Sequence, residues 1–421
     1  MKRVYASIDL GSDSIKVAIC ELYLGHLNLL AAINTPSAGI KRGLITDPEA
    51  VSKSISKALK DASDMLGVPI TKVLATVPGH HAEYKIIKGE VKPTGDLITI
   101  KDMMETYKLG MKSQLLPNEE FVTVVPIDFK INDKTIMEDP KGFPGEKLQG
   151  RAMMVTTPKK NVYSVASVLE GLGIEIVDIS TEAVADINCF RNEELEKSVG
   201  ALINIGYETT TVNLYSKCIP VKTKIIGCGG KDIDQDLAQN YNISLDVARK
   251  LKETFALAHT TNAGNLDVYE TLELNGKKIV ISQLEASKIV QMRLNEIFEL
   301  VKNEINSLTN KPIQYIILTG GVSNMMDIKY SLRDNFGSIA NKGSVKLIGA
   351  RNNKYSTVIG NIIYFLNTLK LKGINYTMID DDEMDLVSSP ETDSLSSLNG
   401  TMLGKVFGYF FGEEEDNEWL E

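Results

Sequence analysis

The sequence predicts a duplicated α/β fold, with a small α+β unit inserted into the first copy. Three observations carry that prediction. The stretch YASIDLGSDSIKVAI, from Tyr5 to Ile19, reads as strand, turn, strand, and ALINIGYETTTVNL, from Ala201 to Leu214, repeats it. Laid over each other, Ile8-Asp9-Leu10-Gly11 meets Ile203-Asn204-Ile205-Gly206, Ser12-Asp13-Ser14 meets Tyr207-Glu208-Thr209, and Val17 meets Val212. Between the copies, from about Gly79 to Pro158, the regular alternation gives way to a Gly-, Pro- and Lys-rich region with short strands such as FVTVVPIDFKI.

The elements follow in order. Val4 to Leu10 and Ile15 to Leu22 are β-rich runs around the Gly11 to Ser14 turn, and Leu27 to Ile33 is a third strand. Pro48 opens a helix on which Val51, Ile55, Leu59, Ala62 and Leu66 recur at helical spacing. Lys72 to Val77 is a buried strand. After the insert, KNVYSVASVLEGLG is a helix and IEIVDIS a strand. The second copy has strands at Ala201 to Ile205, Thr210 to Tyr215 and Ile219 to Ile225. GCGGKDIDQDLAQ is a glycine turn opening a helix. Ser282 to Leu308 is a long helix carrying Leu284, Ile289, Met292, Ile297, Leu300, Val301 and Ile305. YIILTGGVSN gives strand, Gly-Gly turn and another helix, and VIGNIIYFLNTLK is the last core helix. Past Ile379, DDDEMDLVSSPETDSLSSLN is acidic and Ser-rich, which predicts a disordered linker.

Bulk properties narrow the function. With 421 residues the chain has ample material for two to four domains. It is 43% hydrophobic and 24% charged, ordinary for a globular protein. A formal net charge of −9 argues against nucleic acid as a partner, because phosphate backbones demand a basic face. The four cysteines form no C-x-x-C pair and read as reduced thiols in a cytosolic protein. The four histidines show no metal-ligand spacing. No signal peptide and no apolar run long enough to cross a bilayer is visible, so a membrane would be met from its surface.

The turns suggest a ligand. A strand–turn–strand with Gly and Ser or Thr at its bend offers backbone N–H groups and hydroxyls, and two such turns facing one another can cradle a polyphosphate. Asp9 is placed to orient the waters around Mg²⁺, and Lys16 to neutralise phosphate charge. One such turn alone is an ordinary polar β-hairpin; two copies and a later Gly320-Gly321 turn point to a nucleotide in a cleft. Gly229-Gly230 is a second glycine turn of the same kind, and Lys252 and Glu253 on the following helix are within reach of a ribose or base.

IDLGSDSIKVAI, the second turn and ILTGGVSN together resemble the actin, Hsp70 and sugar-kinase superfamily. Within it the chain resembles the FtsA family of bacterial cell-division proteins over nearly its whole length: AGIKRGLITDPEAVSKSI, TVPGHH and FVTVVPIDFKINDKTIMEDPKGFPGEKLQG carry the likeness. The pilus-assembly relative PilM shares the insert. The resemblance implies an actin-like fold of two ribonuclease-H-like halves. The first comprises residues 1–83, 164–196 and 358–379; the insert, 84–163, makes polymer contacts; the second half is 197–357, with a smaller subdomain at about 227–310. It implies ATP and Mg²⁺ as cofactors. Asp9, Gly11, Ser12, Ser14 and Lys16 would form the first phosphate loop, and Asn204, Gly206, Thr209 and Thr210 the second. Gly229, Gly230 and Lys252 would meet the nucleotide, and Gly320, Gly321 and Val322 would line the adenosine. Glu182 matches the position that orients the attacking water, and a cap or surface carboxylate is the alternative. Metal is held through nucleotide and water near Asp9, with no direct ligand.

One departure matters. The family's second loop usually reads Asp-Ile-Gly-Gly-Gly-Thr-Thr, whereas here Asn204 replaces the carboxylate and Tyr207 and Glu208 replace glycines. An amide cannot supply the second negative charge near Mg²⁺, which weakens ATP binding and makes fast hydrolysis doubtful. At most a slow ATPase is expected.

The far C-terminus carries the last signal. At about 100° per residue, Met402, Leu403, Val406, Phe407, Tyr409, Phe410 and Phe411 share one helical face, opposite Thr401, Gly404, Lys405, Gly408 and Gly412. Each interior glycine costs roughly 1 kcal/mol in a helix, so residues 400–412 are expected to fold only as that face enters an interface: a membrane surface, or as the alternative the protein's own core or a partner. The acidic tail, 413–421, follows the 380–399 linker and this helix. The resemblance then implies a scaffold that polymerises head to tail on the inner face of the cytoplasmic membrane at the division site. It would tether the C-terminal peptide of FtsZ, with Arg293 as a candidate contact, and meet other divisome proteins. The competing readings are an Hsp70-like or sugar-kinase-like ATPase, or a PilM-like pilus scaffold. The stretch GGKDIDQDL looks more like Hsp70, but no β-rich substrate domain follows it.

Overall fold

A computed structural model describes residues 2–112 and 114–379 of the chain. The linker at 380–399, the amphipathic helix at 400–412 and the tail at 413–421 lie outside the described residues. The elements run β1 (Arg3–Leu10), β2 (Ser14–Tyr23), β3 (His26–Pro36), the short hairpin β4 (Ile40–Lys41) and β5 (Leu44–Ile45), α1 (Pro48–Leu66) and β6 (Lys72–Val77). The insert contributes β7 (Glu83–Val91), α2 (Ile100–Met111), β8 (Glu119–Ile131), β9 (Thr135–Met137) and β10 (Leu148–Pro158). Next come α3 (Lys159–Glu170), β11 (Glu175–Thr181), α4 (Glu182–Phe190) and α5 (Glu193–Glu196). The second half holds β12 (Val199–Ile205), β13 (Thr210–Ser216), β14 (Ile219–Ile226), α6 (Gly230–Tyr241), α7 (Leu245–Thr254), β15 (Val268–Leu272), β16 (Lys278–Ser282), α8 (Gln283–Leu308), β17 (Tyr315–Thr319), α9 (Ile328–Phe336) and β18 (Ala340–Lys342). The helix α10 (Ser356–Lys372) closes the series.

The duplication is visible in the topology. The first sheet is ordered β11-β6-β1-β2-β3 and the second β18-β17-β12-β13-β14. In each, the opening strand pairs antiparallel with the next and parallel with the strand that returns after the crossover. Strand order, direction and the position of the turn therefore coincide in the two halves. Each sheet has its own apolar core, one built on β1, β2, β6, α1 and α10, the other on β12, β13, β17, α6 and α8.

Local chemistry explains the elements. Asp47 caps α1 by accepting the Ala50 N–H, Pro48 occupies the first turn, and Gly67 ends the helix with φ at 84°. Val51, Ile55, Leu59, Ala62 and Leu66 are all buried against the sheet. On α8 the inward face is Ala286, Val290, Leu294, Ile297, Val301, Ile305 and Leu308. Met292 and Leu300, which the apolar pattern placed among its core residues, are 67% and 44% exposed. Summed hydrophobicity marks the helix but not its phase, which is set by the sheet it meets. The β15–β16 hairpin and α4 carried no clear sequence signal.

The insert is a four-stranded antiparallel sheet, ordered β7-β10-β8-β9, with α2 packed on it. Close approach needs the two glycines at the contact: a Cβ on Gly89 or Gly150 would run into Thr106 of α2. The insert touches both halves. Thr123 and Tyr364 of α10 share a hydrogen bond of 2.6 Å, and the Tyr84 and Thr223 hydroxyls one of 2.7 Å.

Candidate functional site

The two repeated turns close in the same way. The Gly11 N–H donates to the Ser14 carbonyl at 3.2 Å, and the Gly206 N–H to the Thr209 carbonyl at 2.9 Å. Asp9 faces Lys16 in the β1–β2 register, as Asn204 faces Thr211 in the β12–β13 register. The alignment read from the sequence is thus the structural one, and Asp13 and Glu208 occupy equivalent places.

Asp9 is 9% exposed. It accepts from the Thr76 hydroxyl at 3.0 Å and from Lys16 Nζ at 3.2 Å. Lys16 also reaches the Ser14 carbonyl at 3.3 Å and lies over Gly11, where a Cβ would meet Nζ at 2.8 Å. The Ser12 hydroxyl accepts the Gly43 N–H at 2.9 Å, and Ser14 is buried.

Glu182 is the first residue of α4 and accepts from Thr211 Oγ1 at 3.3 Å. Burial, with the nearby charges of Asp9 and Asp186, pushes its carboxyl up to about 8, against the pull of Lys16. Asp186, one turn on, is fully buried. It accepts from Ser356 at 3.0 Å, Thr357 at 2.8 Å and Asn204 Nδ2 at 3.0 Å. Burial pushes Asp186 up to about 6, and those hydrogen bonds limit the rise. Three carboxylates therefore gather near a single ammonium. Among the described residues, no cluster of His, Cys, Asp or Glu side chains is arranged to hold a metal ion.

These contacts give the Asn204 amide a local role. Its Nδ2 donates to Asp186, which a carboxylate could not do, and its Oδ1 lies so close to Gly320 that a Cβ there would collide with it. Gly320 has φ at 85° and Gly321 faces open space. The Gly229-Gly230 turn sits on the second repeated turn: Gly230 N–H donates to the Gly206 carbonyl at 2.9 Å, and a Cβ on Gly230 would touch Val322 at 3.1 Å. The structure thus brings Asn204, Gly206, Gly229, Gly230, Gly320 and Val322 together, with Thr209 in the turn itself.

Two of the expected contacts are engaged elsewhere. Lys252 is 6% exposed, and its ammonium binds Asp234 at 2.7 Å and the Gly230 carbonyl at 3.0 Å, so it braces the glycine turn. The Thr210 hydroxyl donates to the Cys228 carbonyl at 2.8 Å. Arg293 grips Asp236 at 2.6 and 2.8 Å and Glu296 at 2.7 Å.

Further charged and aromatic residues surround the two turns. Arg249 on α7 forms a two-pronged pair with Asp13 at 2.7 and 2.6 Å and lies 5.0 Å over the Tyr207 ring. Glu208 binds Lys231 at 2.8 Å and accepts the Arg42 N–H at 2.8 Å. Although burial pushes the Glu208 carboxyl up, Lys231 and the Arg42 N–H hold it below the usual carboxylate range. Asp186 lies four residues after Glu182, but nothing in that spacing marked it. Tyr207 and Glu208 were flagged by their place in a glycine turn; Arg249 had no signal at all.

Comparison with known proteins gives the chain a family and a fold. A family model described as cell division protein FtsA matches residues 201–360, and one described as the SHS2 domain inserted in FtsA matches residues 79–156. The chain is 27% identical to cell division protein FtsA of Bacillus subtilis over 376 residues, covering 88% of this chain and 85% of that protein. It is 26% identical to FtsA of Staphylococcus epidermidis over 404 residues, covering 94% and 86%. Among solved structures, the PilM–PilN type IV pilus biogenesis complex aligns with a TM-score of 0.58 at 15% identity, over 86% of this chain and 98% of that one. MreB5 of Spiroplasma citri bound to ADP aligns with a TM-score of 0.54 at 16% identity, over 89% and 99%. These structural likenesses place the fold among the actin-like proteins.

Proposed function

The chain belongs to the FtsA family of cell-division proteins, and from that premise we propose that it is an actin-like, ATP-binding scaffold that polymerises on the inner face of the cytoplasmic membrane and tethers FtsZ to the division site. The observation that carries the nucleotide half is the pair of equivalent turns, each closed by the same Gly N–H bond, flanking Asp9, Lys16 and the glycine turns. The actin-like MreB5 structures, bound to ADP and to AMPPNP, support it.

The residues fit Mg·ATP, with one reservation on the second side. The open face of Gly321 and the excess of carboxylate over ammonium around Glu182 suit a nucleotide carrying Mg²⁺. Lys16 would hold phosphate, Gly320 and Val322 the adenosine, and Asp9 the metal's waters. Bound Mg²⁺ supplies the positive charge that Asp9, Glu182 and Asp186 lack. Without that charge, burial and the neighbouring Asp9 and Asp186 favour the protonated form of Glu182, which works against its orienting an attacking water as a base. With Asn204 committed to Asp186, turnover is slow and the nucleotide acts as a structural switch.

The remaining roles rest on the family. The insert at 84–163 makes head-to-tail contacts, which are heterologous and build open filaments. The terminal helix at 400–412 binds lipid, and many copies along a filament convert weak contacts into attachment. The FtsZ peptide docks near residues 227–310; because Arg293 is already gripped by Asp236 and Glu296, an acidic peptide has to compete for it.

Co-sedimentation tests the reading. With Mg·ATP and vesicles of bacterial lipid, the full chain should pellet and recruit a peptide of the FtsZ C-terminus. A chain lacking residues 400–421 should bind ATP but stay in the supernatant. Equal pelleting of both proteins, or no dependence on nucleotide, would overturn the scaffold reading.

A further inference from the structure

Asp13 and Glu208 are equivalent residues of the duplicated turn, and each makes a bond to the opposite half of the molecule. Asp13, on the first turn, takes both guanidinium prongs of Arg249 on α7 of the second half. Glu208, on the second turn, takes the N–H of Arg42 at the tip of the β4–β5 hairpin in the first half, while Lys231 neutralises it. The Arg42 guanidinium lies against Gly227, 3.5 Å from where a Cβ would stand. The same tip is tied to the first turn through Gly43 N–H and Ser12, and to the start of the insert through His80, 2.7 Å from the Arg42 carbonyl. Both carboxylates are charge-assisted acceptors, the chemistry a phosphate oxygen would offer from the same cleft.

We propose that Asp13 and Glu208 are built-in stand-ins for nucleotide phosphate, a pseudo-symmetric pair of latches that holds the two halves together without nucleotide and competes with phosphate for Arg249, Lys231 and the Arg42 N–H. The closure half of the proposal stands on the contacts alone. The competition half rests on the nucleotide reading above. In this chain the turns carry their own anions, so closure is partly uncoupled from the ligand. Because His80 holds the hairpin tip, the state of the latches also reaches the insert.

Backbone amide exchange on the full chain, followed by mass spectrometry without nucleotide, tests closure. Asp13→Asn removes the charge facing Arg249 and makes no bond to Arg42. If the latches act together, exchange in the peptide spanning residues 38–46 should nonetheless become about tenfold faster. Glu208→Ala should do so directly, and Glu208→Gln more weakly. Asp13→Arg combined with Arg249→Asp should restore slow exchange, which excludes misfolding as the cause. Calorimetry with Mg·ADP tests competition: Asp13→Asn and Glu208→Gln should each bind about tenfold more tightly than the unaltered chain. Unchanged exchange at 38–46 in Asp13→Asn overturns the latch. Weaker Mg·ADP binding in both variants overturns the competition. Faster exchange in a protein that binds no nucleotide in any form would support closure while refuting the nucleotide reading.

Discussion

Asn204→Asp restores the residue that the family usually carries, and its consequence can be worked from the contacts. The Asn204 amide donates to Asp186 Oδ2 at 3.0 Å, in a place where Asp186 is fully buried. Substitution deletes a hydrogen bond to a charged group, worth about 1.5–3 kcal/mol. It also sets a second carboxylate at that separation, where two unit charges repel by roughly 5 kcal/mol at an effective dielectric of about 20. The pair escapes the full repulsion by sharing a proton, at about 1.4 kcal/mol for each pH unit above the pKa it would otherwise have. The shared proton also makes a hydrogen bond in place of the one deleted, so the expected destabilisation is about 2–4 kcal/mol near pH 8 and about 1 kcal/mol near pH 5.5. Asn204→Ala, which adds no charge, should lose stability with little extra pH dependence. Urea unfolding across that pH range reads the difference. A variant as stable as the unaltered chain near pH 8, or a loss independent of pH, would refute the reasoning. The same pairing predicts that any gain in Mg²⁺-dependent phosphate release appears only where the shared proton has left, above neutral pH.

The raised carboxyls of Glu182, at about 8, and Asp186, at about 6, make the nucleotide-free protein lose stability as pH rises. The folded state binds protons that the unfolded chain has released, so the contribution is complete below the ordinary carboxylate range and lost as pH passes these values; thermal unfolding should show it, and Glu182→Gln should flatten the upper part of the profile. Lys16→Ala should cost roughly ten- to hundredfold in ATP affinity by removing a charge-assisted contact, and equal binding by calorimetry would remove Lys16 from the site. Gly360→Ala should destabilise by about 1–3 kcal/mol, because its Cβ would strike the Ala185 backbone where α10 crosses α4; unchanged denaturant midpoints would show that the helices can part there.

Most of the fold was legible because its signals are local. β1, β2 and β6 follow from β-rich apolar runs broken by Gly and Ser, and α1 from a cap, a proline and apolar residues at helical spacing. The repeated turn was legible for the same reason: its bend needs Gly at one place and a small hydroxyl at another. Several candidate site residues were legible through that turn. Asp9, Lys16, Gly206 and the glycine turns do converge. Lys252 was read as a ligand contact; its buried ammonium binds Asp234 and the Gly230 carbonyl and so braces the glycine turn.

By itself, then, the sequence determined that the chain folds as two like halves, that each half opens on the same strand–turn–strand, and that the second turn has an amide where the first has an acid. Those are properties of residue type at short spacing. Only the tertiary structure decided what the amide does and which charges face each other. Asp186 comes within 3.0 Å of Asn204, Asp13 meets Arg249 and Glu208 meets Arg42 because the two halves pack against each other. Residues 18 to 236 positions apart in the chain carry no periodicity that could announce such pairs. Their partners are chosen by how the halves pack, and the energies of buried carboxyls by how much water that packing excludes.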